Sequence, residues 1–321
     1  MYRKLNIKTL TWVFVSLLIL TVFVKVIDTR RGVNTLQAEL FTLDENEVKS
    51  LIISPKMLKG ETIELKRNKD GWQVSSNGKT YNGDASTIEA LLRELNGLKP
   101  IRLASQDKDR WASFELTDSL ASKVQFMGDK GELASLFIGK FSYSQASQSA
   151  MTQQYPYMRP QGTMSSYVRY NNEKEVYAVE GFLGSRVNRD MDAFRDKTLL
   201  KVKKNSLNKI VFSYPADSSF TMEKKEGVWM SEGQPLDSAS VAKYLSRISS
   251  LRASGFADME QIKPSHKIQL IQDQAAPIEI SASIEGDDAL MISSLNPNSV
   301  FKERSSANFK KIFISKNELL E

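Results

Sequence analysis

The chain has 321 residues, a hydrophobic fraction of 41%, a charged fraction of 26%, no cysteine and a single histidine. This is the composition of a folding chain. It excludes disulfide frameworks, thiol nucleophiles and Cys-ligated zinc or iron–sulfur centres, while His266 alone cannot build a His-based triad or a multi-His metal site. The net charge of +6 is an end effect: within residues 1–32, Arg3, Lys4, Lys8, Lys25, Arg30 and Arg31 face only Asp28, and the remainder is nearly balanced. A balanced body has no field to hold a nucleic acid, so none is expected as a partner.

After a nine-residue basic tail (1–9) comes an apolar run, residues 10–27, LTWVFVSLLILTVFVKVI. As a helix, 18 residues at about 1.5 Å each span roughly 27 Å, enough for a hydrocarbon core if Lys25 reaches the interface. The rival reading, a cleaved signal peptide, is disfavoured because no small-x-small site follows and the run is longer than a usual signal core. The reading is therefore a single-pass anchor followed by a linker at 28–40; a nine-residue tail before a long C-terminal body fits a signal-anchor arrangement, with the tail in the cytoplasm and the bulk periplasmic or otherwise extracytoplasmic. Basic residues flank the run on both sides, so charge alone does not fix the orientation.

From residue 41 the sequence reads as a duplication. NGDASTIEALLRELNGLKP (82–100) and PLDSASVAKYLSRISSLRA (235–253) align at a constant offset of 153. Asp84 and Asp237 are in N-cap positions, each followed by apolar residues at helical spacing. Before each helix lies a strand and hairpin pattern, with turns at NKDG (68–71) and KKEG (224–227) and a tryptophan, Trp72 or Trp229, expected to plug the core. After each helix further strands follow: 124–128, 133–139, 167–170 and 176–179 in the first copy, answered by 268–271, 278–284, 299–303 and 311–315. Phe182 and Leu183 are matched with Leu319 and Leu320. The expected fold class is α+β: two tandem domains, 41–200 and 201–321, each an antiparallel sheet covered by one main helix.

Two segments break the symmetry. The stretch 141–166, rich in Ser, Gln, Tyr and Met, is too long for an ordinary hairpin loop. It is either solvated loop or a partner-binding loop, with Tyr143, Met151, Tyr155, Tyr157, Met158, Arg159 and Met164 as candidates. A soft-metal site at its methionines lacks His or Cys support. The second segment, AFRDKTLLKV (193–202), reads as packing at the interdomain joint, with Arg195 and Asp196 paired at a surface or turn.

Phosphate loops and GxGxxG, GxSxG, HExxH and EF-hand patterns are absent from the sequence. His266 is expected as a surface residue at a strand start. Arg169, Arg186, Arg189 and Arg195 are close in sequence, but neighbouring acids offset them. No catalytic, cofactor or metal residue is nominated, and the protein is expected not to be an enzyme.

The motifs VKSLII (48–53), IELKR with GW (63–67, 71–72), DASTIEALLRELNGL (84–98), FEL (114–116), LFIGK (136–140), YVRY with VYAV (167–179) and FRDKTLL (194–200) together resemble the bacterial family called domain of unknown function 4340. The resemblance implies a membrane-anchored, extracytoplasmic protein associated with ABC transporters of the gliding-motility type, whose permease and ATPase are other chains. It transfers no catalytic residue. The leading expectation is thus a non-catalytic accessory subunit; the alternative is a freestanding binding module for envelope glycan or lipid, with an envelope enzyme behind both.

Overall fold

The computed structural model describes residues 12, 14–19, 21, 39–144 and 163–320. Residues 12, 14–19 and 21 are helical; the rest of the apolar run 10–27, the tail and most of the linker lie outside the described residues. Among the described residues no helix is long and apolar enough to cross a membrane.

The first repeat contains β1 (Ser50–Ser54), β2 (Ile63–Asn68), β3 (Gly71–Ser76), β4 (Lys79–Asn82), α1 (Ala85–Asn96), β5 (Pro100–Ser105), β6 (Ser122–Gly128), β7 (Gly131–Ser144), β8 (Thr163–Tyr170), β9 (Val176–Glu180) and the single turn α2 (Gly184–Val187). The linking strand β10 (Thr198–Lys201) follows. The second repeat contains β11 (Leu207–Ser213), β12 (Phe220–Lys225), β13 (Val228–Ser231), β14 (Gln234–Pro235), α3 (Ser238–Ile248), β15 (Ser250–Arg252), β16 (Gly255–Phe256), β17 (His266–Gln272), β18 (Ala275–Glu285), β19 (Asp288–Ser293), β20 (Asn296–Glu303) and α4 (Ala307–Ile312).

The two repeats build nine-stranded sheets of the same order: β4-β3-β2-β1-β6-β7-β8-β9-β5 and β14-β13-β12-β11-β17-β18-β19-β20-β16. Their registers agree as well. Leu51 faces Leu65 and Ile53 faces Ile63, as Ile210 faces Met222 and Phe212 faces Phe220. The architecture is α+β with antiparallel pairing, as the alternation of apolar residues requires. By spatial compactness the chain divides into two units that interleave along the sequence: 1–42, 95–120 and 137–184 form one, and 43–94, 121–136 and 185–321 the other.

The main helices form where the spacing predicts. Ile88, Leu91, Leu92 and Leu95 on α1, and Val241, Tyr244, Leu245 and Ile248 on α3, are all buried. In the second repeat the α3 residues join Ile210, Phe212, Met222, Ile268 and Ile280 in one apolar core. Trp72 is buried beside the start of α1: a Cβ added at Gly83 would come within 2.8 Å of Ile88 Cδ1 and 3.1 Å of Trp72 Cβ. Its counterpart Trp229 is only partly buried against the second core.

Four strand and loop expectations change. KIFIS (311–315) is not a strand; it begins in α4, where Phe309 and Phe313, four residues apart, share one helical face with rings 4.8 Å apart. A short apolar run fits either period, and only its packing decides. SVFKE (299–303) therefore belongs to β20 and answers β9, while β8 is answered by β19, whose Ala289, Leu290 and Met291 are buried consecutively and so carry no period-two signal. Leu319 corresponds to Phe194 rather than to Phe182, because Asp84 N donates to Phe194 O at 2.8 Å and Asp237 N donates to Leu319 O at 2.9 Å. Finally, β7 runs to Ser144 and β8 starts at Thr163, so both ends of the stretch 141–166 are strand.

The LFIGK motif has a steric reason. A Cβ at Gly139 would fall 2.1 Å from Phe114 O and 3.0 Å from Glu115 O. The segment of Phe114 and Glu115, the latter at a left-handed φ of 58°, lies flush on β7 only because that residue is glycine. Gly139→Ala is expected to destabilise the protein by about 1–3 kcal/mol, the range for forced overpacking. Denaturant unfolding followed by tryptophan fluorescence checks this; an unchanged midpoint would contradict the assigned role.

Candidate functional site

The residues with the most specific geometry lie at the segment Phe194-Arg195-Asp196-Lys197, which leaves the first repeat and enters the second. Backbone bonds thread it: Asp84 N to Phe194 O, Asp196 N to Asn82 O and Ala253 N to Lys197 O, each 2.8 Å, with a bridge between Gly83 and Arg195. The chain then continues as β10, pairing antiparallel with β15.

Arg195 is only 6% exposed. Its guanidinium lies over both Tyr81 and Phe256, 3.5 Å from each ring centroid. Nη1 donates to Asp192 at 2.8 Å and Nη2 to Ser299 Oγ at 3.0 Å, while Nε is buried without a hydrogen-bond partner. A planar cation can stack by its faces and hydrogen-bond in its plane at once, which lysine cannot do. The expected Arg195/Asp196 surface pairing is thus corrected: the two side chains go to different partners.

Asp196 accepts from Thr198 N at 2.9 Å, Thr198 Oγ1 at 2.7 Å and Asn296 Nδ2 at 3.2 Å. Asn296, itself buried, also donates to Thr198 O at 2.9 Å and accepts from Asn82 at 2.8 Å. Asp84 caps α1, accepting from Thr87 N at 3.0 Å and Ser86 Oγ at 2.5 Å, and its second oxygen accepts from Arg252 of the second repeat. Burial alone would raise the Asp84 pKa, but the bonds from Ser86, Thr87 and Arg252 outweigh it and hold the carboxyl below its ordinary value. Asp237 caps α3 through Ser240 N at 2.7 Å, and these bonds lower its pKa as well.

Of the sequence-nominated loop residues, Tyr143 and Met164 lie at the outer ends of β7 and β8, 55% and 47% exposed. Met151, Tyr155, Tyr157, Met158 and Arg159 fall outside the described residues. Beside them the structure exposes two aromatics that sequence reading missed as interaction residues, Phe141 and Phe182, with ring centroids 4.6 Å apart. Phe141 was legible as period-two alternation continuing past LFIG; Phe182 was not, because only the β8–β9 pairing brings residue 182 back to this end. Arg169, counted among the basic residues, is 1% exposed. It is held by the rings of Trp111 and Phe137 at 3.9 and 3.6 Å and by Asn171 O and Asp118. Burial lowers its pKa, with Asp118 opposing.

His266 is half-buried rather than a plain surface residue. It sits among Tyr214, Phe309 and Phe313, and this burial lowers its pKa. These four residues line a cleft of about 450 Å³. Burial, with Glu318 adding to it, also pushes the Tyr214 hydroxyl well up; the hydroxyl donates to Ile314 O at 2.8 Å. Among the described residues no group of three or more His, Asp or Glu converges as a metal site.

The family model for a domain of unknown function, DUF4340, matches residues 72–149 and 159–270, more than half of the chain. The chain belongs to this family. The matched DUF4340 stretches include the joint segment, α1, α3 and all of β7 and β8, and they break within the Ser/Gln/Tyr/Met stretch. The motifs VKSLII and IELKR lie before the first matched residue, and everything from Ile271 onward lies after the last, so the match is narrower than the resemblance read from the sequence. No curated protein and no solved structure matches the chain.

Arg195→Ala is expected to cost about 2–4 kcal/mol, from two lost cation–ring contacts, lost hydrogen bonds and the cavity left behind. Arg195→Lys should recover less than half of it. Denaturation monitored by fluorescence and circular dichroism would read both values, and full rescue by lysine would show that charge alone matters. For Asp84, a carboxyl with a lower pKa folded than unfolded stabilises the fold above its unfolded pKa and loses that contribution as the pH falls through the folded one. Asp84→Asn keeps a capping side chain but removes the charge. Its melting temperature should therefore lie below that of the parent at pH 7 and converge with it below about pH 4; parallel curves would contradict the assignment.

Proposed function

We propose that this DUF4340 protein is a non-catalytic, membrane-anchored, extracytoplasmic accessory subunit of a bacterial ABC transporter-type complex of the gliding-motility-associated kind. The permease and ATPase are then other chains, and this one acts by binding protein or substrate. The observation that carries the binding role is the apolar cluster at the outer end of the β7–β8 hairpin. Phe141, Tyr143, Met164 and Phe182 are all between 43% and 55% exposed, and a soluble surface does not gather four such side chains without a use.

The anchor is read from the length and apolarity of residues 10–27, and the short tail before a long C-terminal body puts the tail in the cytoplasm and the repeats in the periplasm. A tether raises the effective concentration of a binding surface at the membrane, so even a weak contact stays occupied. The cleft around Tyr214, His266, Phe309 and Phe313 favours a second reading, a freestanding module that binds an envelope glycan or lipid.

Crosslinking of the full chain in native membranes, mild detergent extraction and mass spectrometry test the proposal. An ABC permease and ATPase should be recovered together, be lost when residues 10–27 are exchanged for an unrelated anchor, and fall at least about fivefold with Phe141→Asp and Tyr143→Asp, as for a disrupted interface centre. Recovery without either subunit would overturn it in favour of the freestanding module.

A further inference from the structure

Both repeats receive the incoming chain at the same place. In the first, Leu40 N donates to Leu98 O at 2.8 Å; in the second, Leu200 pairs with Leu251, the residue equivalent to Leu98. The receiving face of the second repeat is filled by the first: Arg252 holds Asp84 and approaches Asp196 at 4.0 Å, while Phe256 covers one side of Arg195. The offset of 153 places Lys99 where the second repeat has Arg252, and Leu103 where it has Phe256. Strand register gives the same correspondence, since Arg102 and Leu103 pair with β9 as Gly255 and Phe256 pair with β20. On the first repeat this face is open among the described residues: Lys99, Ile101 and Leu103 are exposed, the last two at 45% and 36%.

The second repeat carries the complementary, inserting face, also open. Asp237 caps α3 as Asp84 caps α1, and the shared backbone bond makes Leu319 the equivalent of Phe194, hence Leu320 the equivalent of Arg195. Leu320 is 43% exposed. Placed in the geometry of the internal joint, the two open faces set Asp237 against Lys99 and Leu320 against Leu103. The internal pair Asp84–Arg252 becomes another acid–base pair, and the Arg195–Phe256 stack becomes a leucine contact.

We propose that the second repeat of one chain docks on the first repeat of another copy, head to tail, reproducing between chains the joint that already exists within each chain. Such a contact is heterologous, so it closes into a ring or continues as an array. The preceding segment 28–38 is a poorer occupant: it brings Arg30 and Arg31 to a face marked by Lys99 and offers few large apolar side chains. The inference is independent of any transporter.

The chain has no cysteine of its own, so single introduced cysteines report cleanly. Full-length Leu103→Cys and Leu320→Cys chains with different tags, co-expressed in one membrane and mildly oxidised, should give the mixed dimer, bridged from position 103 to position 320, in excess over either same-site dimer. Lys99→Glu or Asp237→Ser, the latter retaining a cap, should each lower that yield at least about tenfold. Leu103→Cys and Leu320→Cys chains that stay monomeric, that give same-site dimers only, or that give mixed dimers insensitive to Lys99→Glu would overturn the proposal. So would a cysteine introduced in the segment 28–38, as Val33→Cys, that captures position 103 of its own chain in preference to Leu320→Cys of another. A positive result with no transporter subunit recovered would leave the self-contact standing and the transporter reading refuted.

Discussion

A buried guanidinium organises the link between the repeats. Withdrawing an arginine from water is expensive unless its charge and N–H groups are met, and Arg195 is met from both sides of the joint. Tyr81 and Asp192 belong to the first repeat; Phe256 and Ser299 belong to the second. Neither set alone compensates the cation. The Asp84, Asp196, Arg252 and Asn296 network works in the same sense, since its acids come before β10 and its donors after it. The joint is therefore specified by polar matching, with the apolar cores on either side left to fold each repeat.

That division of labour explains how two sequences with little identity keep one topology. The strand order and cross-strand registers need only apolar residues at alternating positions, and the helix needs an aspartate cap followed by a buried stripe. Leu91 can become Tyr244 because Tyr244 sends its hydroxyl to Ile312 O at 2.8 Å inside the second core. The parts that cannot vary so freely are geometric, such as Gly139 beneath Phe114 O, or electrostatic, such as the cap that also binds across the joint.

The surfaces left open by this arrangement differ in kind. The end of the β7–β8 hairpin is aromatic and projects beside a stretch at which the DUF4340 match is interrupted, which suits a partner particular to this chain. The receiving face of the first repeat and the inserting face of the second instead preserve the sign pattern of the joint. A duplicated domain that uses each face once internally carries a second copy of each, and among the described residues neither second copy is covered.

By itself the sequence determined the α+β class, the duplication, both main helices with Asp84 and Asp237 as their caps, and the burial of Trp72 though not of Trp229, because period, capping chemistry and turn residues are local properties. It also named Tyr143 and Met164 as partner-loop candidates, and both are exposed. It misread KIFIS and the Arg195 partners, missed β19, and did not find Phe182 as a neighbour of Phe141. Each of these depends on contacts between residues tens of positions apart: a short apolar run takes its period from what packs on it, and an arginine is buried or solvated according to which rings and acids the chain returns to it. Only the tertiary structure brings those groups together, so only it decided that the segment FRDK is the joint and that the equivalents of its two faces are exposed among the described residues.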